Sequence, residues 1–182
     1  MGTTGNAGVV TATLAKGWNR ARVFEFAEAK AVEHGYEPGM DLRHIVEQLG
    51  GEIVYLETSE ITSSTGSMLV REDDTFVVYL SRYTSGTRDR FTTAHELGHY
   101  FLHLPELQAQ NIPGPWSFNR HGSNTAEVEA NWFAAAYLMP AAAFTASFEE
   151  HGGDALQVAW DFDVSYESAR IRVGSLNLHP SA

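Results

Sequence analysis

The 182-residue chain contains no cysteine. That one absence removes disulfides, thiolate zinc sites, iron–sulfur clusters and cysteine nucleophiles, so any metal must be held by histidine and carboxylate side chains. Lysine is scarce too, present only as Lys16 and Lys30. Twelve basic against 23 acidic side chains leave a formal net charge of −11. Such a charge repels a phosphate backbone, so nucleic acid is an unfavoured partner. No apolar run approaches the roughly 18 residues of a membrane helix. The run Val9 to Ala15 is short, broken by threonines and preceded by no basic residue, so no secretory signal is expected. The cytoplasm is the expected location, with no membrane partner.

What is present fits an ordinary folded domain: 43% of residues are hydrophobic and 19% charged, enough to bury a core without covalent staples. Residues 1–17, rich in Gly, Thr and Ala, read as a flexible leader. No repeat or long linker divides residues 18–182, which we expect to form one domain. Apolar spacing predicts a helix over 19–34, stopped by Gly35 and Pro38, and a shorter one from Asp41 to Leu49. Three β-rich stretches follow, at 52–56, 67–71 and 75–80, the last two flanking the turn Glu72-Asp73-Asp74. From Arg88 the period is helical. One helix is expected to run to Leu104 and stop at Pro105, then a loop over 105–124, a helix over 125–139, and shorter helices to Leu176. The order predicts an α+β fold: a small antiparallel sheet packed against the helix that starts at Arg88, with a C-terminal helical bundle.

His95-Glu96-Leu97-Gly98-His99 is an H-E-x-x-H run inside a predicted helix. At about 100° per residue, His95 and His99 lie about 40° apart and one turn distant, so both imidazoles leave the same face. Two neutral imidazoles at that spacing can share one zinc ion, with Glu96 placed to take a proton from water. In this composition the motif is expected by accident only about 0.03 times, which favours chemistry over coincidence.

A third ligand is needed. His103 lies about 12 Å along the helix from His95 and is assigned a supporting role beside the ligands. The third histidine of the longer H-E-x-x-H-x-x-G-x-x-H pattern would fall on Pro105, which excludes that class. Glu127 on the next long helix is the better candidate. Asn131, one turn later on the same face, could accept the free N–H of a ligating histidine and fix its tautomer. Glu129 lies about 200° around the helix from Glu127. For stabilising an oxyanion, Tyr83, Arg82, His103 and His121 all remain candidates. An extended substrate is expected to add to the sheet edge beside residues 75–80.

Two segments, from Arg90 to His103 (RFTTAHELGHYFLH) and from Glu127 to Pro140 (EVEANWFAAAYLMP), resemble the ImmA/IrrE metallopeptidase family. The likeness runs from about residue 20 to 176 and is strongest over 88–140. Tyr137 stands where the family usually has leucine. The resemblance implies a zincin-like, gluzincin-type domain with one Zn2+ on His95, His99 and Glu127, and Glu96 as the catalytic glutamate. It also implies an endopeptidase that acts on a regulatory protein, a helix-turn-helix repressor, and so derepresses genes. The alternative is an antirepressor that binds the repressor without cutting it.

Residues 156–173 scan as a helix-turn-helix, with Asp163 where glycine is usual in the turn. Only Arg170 and Arg172 supply positive charge there, against Asp161, Asp163 and Glu167. A structural helical hairpin is therefore expected, with a DNA-binding regulator as the lesser reading.

Overall fold

The computed structural model describes residues 10–11, 14–57, 67–118 and 125–180. Strand β1 (Val10–Thr11) precedes helix α1 (Arg20–Glu33) and helix α2 (Arg43–Gln48). Asn19 caps α1 by accepting the Arg22 N–H at 3.0 Å. Strands β2 (Gly51–Leu56), β3 (Met68–Val70) and β4 (Phe76–Ser81) follow, then helix α3 (Gly86–Gly98) with Ser85 as its cap. Helix α4 (Leu104–Ala109), strand β5 (Trp116–Phe118) and helix α5 (Thr125–Leu138) lead to α6 (Ala141–Glu150), α7 (Ala155–Asp161) and α8 (Tyr166–Ser175).

The fold is α+β, and the sheet is mixed rather than wholly antiparallel, in the order β1-β5-β3-β4-β2. β3 pairs antiparallel with β4 and with β5, as a hairpin and its neighbour should. β2 runs parallel to β4, and β1 parallel to β5. The β3–β4 turn closes through Arg71 N–H to Thr75 O (2.8 Å), with Asp74 at φ 65° and the Asp73 carboxylate accepting from Thr75. Aspartate tolerates that left-handed conformation better than most side chains. β4 is interior, flanked by β3 and β2, so the edge beside residues 75–80 expected to receive a substrate strand is already occupied. β5 lies in the stretch expected to be loop. Three residues between Pro115 and Asn119 are too few to carry a period.

One helix does not stop at Pro105. A π-helical turn, His99–His103, joins α3 to α4, and Pro105 sits in the first turn of α4. Proline lacks an N–H and clashes with the carbonyl four residues back. The wider turn, closed by Leu104 N–H to His99 O, removes that clash, and the first-turn position needs no N–H.

Helix α5 is central, burying side chains around much of its circumference, including Ala130, Phe133, Ala134 and Tyr137. It packs against α1 and α3. Contact with α3 is close because Gly98 faces it: a Cβ there would lie 3.1 Å from the Ala130 Cα and 3.2 Å from its carbonyl oxygen. Of the leader expected over 1–17, β1 pairs with β5, and Leu14 packs on the core. Lys16 N–H donates to Glu129, and its ammonium pairs with Glu106.

Candidate metal centre

Helices α3 and α5 bring His95, His99 and Glu127 together, with one ligand atom from each lying within 4.8 Å of the others. His95 Nε2 and His99 Nε2 are 3.1 Å apart. Glu127 reaches them at 3.3 Å (Oε2 to His95) and 3.2 Å (Oε1 to His99). Ligand atoms around a tetrahedral zinc ion, at bonds of about 2.0–2.2 Å, sit roughly 3.3–3.5 Å from one another. The contacts are of that order, each Glu127 oxygen facing one imidazole, so the donor set and its spacing suit one such ion. Burial alone would raise the Glu127 carboxyl, but the adjoining His95 and His99 rings bring it down to about 2. A cation between them would act on Glu127 in the same sense.

Each histidine is oriented from behind. His95 Nδ1 lies 3.0 Å from Asn131 Oδ1, an atom that can only accept, so the His95 proton is on Nδ1 and Nε2 presents a lone pair. His99 Nδ1 meets His103 Nδ1 at 2.8 Å, and His103 Nε2 meets Glu129 Oε2 at 3.1 Å. Burial, then the neighbouring His99, hold the His103 imidazole down to about 4, against the pull of Glu129. The Phe118 ring on β5 lies 5.1 Å from the His99 ring. Glu96, on the helix that carries His95 and ends at His99, is wholly buried.

A cavity of about 590 Å³ opens beside the cluster, lined by His95, Glu127 and Asn131 with Phe91, Thr92, Ser165 and Ser168. A second, of about 490 Å³, continues from it along β4 and shares Ser85, Arg88 and Thr92 with the first. Arg88, which is exposed, is the only lysine or arginine lining either among the described residues.

Tyr83 is not brought to the ligands. It lines the second cavity, 75% exposed, and its hydroxyl donates to Glu57 Oε2 at 2.5 Å. Arg82 approaches the same Glu57 at 3.9 Å. His121 lies outside the described residues. Glu129, to which the sequence assigned no role, is fully buried and bound to His103. The only signal for it was an acid set among the alanines of an apolar helix.

The C-terminal segment is a hairpin of α7 and α8. Asp163 takes φ 47° at the turn, the conformation glycine usually supplies, and its carboxylate lies 3.4 Å from Arg90. Arg172 is buried on Glu28 and the Met139 carbonyl, and Arg170 is paired with Glu167.

A mixed sheet, two packed helices, a histidine–histidine–glutamate cluster and a buried glutamate on the histidine-bearing helix together describe a metallopeptidase domain. The family model for the IrrE N-terminal-like domain, a peptidase family, matches residues 46–173, and the chain belongs to that metallopeptidase family. Among solved structures, a Mycobacterium tuberculosis transcriptional regulator is similar in fold, with a TM-score of 0.60 at 17% identity. The match covers 85% of this chain and 46% of that one, so the chain spans less than half of the regulator's length. No curated protein matches.

Proposed function

We propose that the chain is a zinc-dependent endopeptidase of gluzincin type that cuts a regulatory protein, a helix-turn-helix repressor, and so derepresses its genes. The observation that carries this reading is the convergence of His95, His99 and Glu127, with Glu96 buried on the helix that carries both histidines. Residues 18–182 act as one catalytic domain, in the cytoplasm. The similarity in fold to a transcriptional regulator supports a role in gene control.

His95, His99 and Glu127 would hold one Zn2+, which supplies Lewis acidity toward the scissile carbonyl and toward water. Asn131 keeps the His95 lone pair turned to the ligand cluster. Glu96 takes a proton from the attacking water and delivers it to the leaving amine. The paired cavities accept several residues of extended chain. Arg88 lies seven residues before His95, about 10 Å along the helix, a distance that three extended residues cover. Its guanidinium favours an acidic side chain about three positions from the scissile bond.

The test is co-expression with the helix-turn-helix repressor encoded beside it, comparing wild type with Glu96→Gln. The expected result is a specific fragment made by wild type alone, with one zinc per chain in both proteins. No fragment from either, with the repressor still co-purifying, would overturn cleavage and leave antirepression by binding.

A further inference from the structure

We propose that Glu129 and His103 form a proton-ordering relay that sets the His99 tautomer for metal binding, and that the segment before α1 is built into it. The inference rests on the peptidase reading for its purpose, though its geometry stands apart from any cleavage.

The relay begins at Glu129. Its Oε1 accepts the Trp18 N–H at 2.8 Å, and its Oε2 accepts the Lys16 N–H at 2.8 Å. Both oxygens are thus engaged as acceptors in a fully buried position, and the third neighbour of Oε2 is His103 Nε2. An oxygen already accepting an N–H orders the ring proton of a neutral His103 onto Nε2. His103 Nδ1 is then a lone pair. The 2.8 Å contact between His103 Nδ1 and His99 Nδ1 can hold only one proton, so it must come from His99. With its proton on Nδ1, His99 leaves Nε2 bare, and Nε2 is the atom 3.2 Å from Glu127 and 3.1 Å from His95 Nε2.

Reversing any one contact turns the wrong tautomer toward the cluster. If His103 carried its proton on Nδ1, His99 would have to present an N–H toward Glu127. Glu129 prevents this by being an acceptor only. Asn131 does the equivalent for His95 in one step, whereas His99 needs two because the π-helical turn inserts His103 between it and the acid. The two backbone donors come from Lys16 and Trp18, so docking of that segment holds the Glu129 carboxylate in register with His103.

His103 and Glu129 are positioning residues, acting through His99. The test compares His103→Leu, which deletes the relay, with His103→Gln, whose amide oxygen can accept from His99 while its NH2 donates to Glu129. Zinc affinity is measured by chelator competition on the full chain. His103→Leu is expected to weaken it by about 10- to 100-fold, the usual cost of losing a group that orients a ligand. His103→Gln should stay within several-fold of wild type. Circular dichroism and thermal melting of the metal-free proteins report whether each variant is folded.

A second readout needs no variant. Two-bond 1H–15N spectra of metal-free wild type should place the His99 proton on Nδ1 and the His103 proton on Nε2. Unchanged zinc affinity in a folded His103→Leu, or a His99 proton on Nε2 in wild type, would overturn the relay. Failure of wild type to bind zinc at all would instead sink the peptidase reading, and the tautomer spectra would still decide the relay.

Discussion

Arg88 is the residue whose role can be isolated most cleanly, because it lines both cavities and contributes nothing to the ligand cluster. Arg88→Glu should raise KM several-fold for a peptide with an acidic residue three positions from the cut, and leave kcat within about twofold. Loss of an exposed ionic contact acts on binding and is worth only about 1 kcal/mol or less. The check is steady-state kinetics on paired acidic and neutral peptides. Equal loss on both would place the specificity elsewhere. At this scale the pairing of His95 and His99 was legible in the sequence, since a spacing of four in a helix puts two side chains on one face by local geometry. Glu129 was not. Its meaning depends on His103, 26 residues away, and on two backbone amides more than a hundred residues away.

Among elements, the decisive contact is α3 against α5, where Gly98 lets the two helices approach closely enough for Glu127 to reach both histidines. Gly98→Ala would place a methyl against the backbone of Ala130, which cannot swing aside as a side chain could. The intrinsic helix gain of alanine is about 1 kcal/mol at most, and overpacking costs about 1–3 kcal/mol. We expect a net loss of stability and weaker zinc binding, measured by melting of the metal-free protein and by zinc titration. Unchanged affinity with a higher Tm would mean that the helices separate without consequence for the site. The π-helical turn was invisible in the sequence, where Pro105 read as a stop. Proline ends a helix when its ring clashes with the carbonyl four residues back, and a turn of five residues avoids the clash.

Across the whole molecule, charge and burial argue against DNA readout by α7 and α8. The net charge is −11, Arg172 is spent on Glu28 inside the fold, and Arg170 is neutralised by Glu167. The hairpin closes the domain over α1 and the end of α5, through Glu28 and the Met139 carbonyl. A gel-shift titration should show no sequence-specific complex whose affinity falls with salt. A specific, salt-sensitive shift would reverse this assignment. Among the described residues, no helix is long and apolar enough to cross a membrane.

The sequence by itself determined the chemistry available: no thiolate, two imidazoles on one helical face, a glutamate between them, and a second helix bearing a carboxylate with an amide one turn on. These follow from composition and helical period, which act over a few residues. Tertiary structure alone decided that β4 is interior, that the sheet is mixed, that Glu127 meets both histidines, and that Glu129 stands behind His103. Strand order and helix contact join residues distant in the chain, through pairings that no local period encodes. The candidate histidines could thus be chosen from the sequence, while the contacts that surround them exist only in the folded chain.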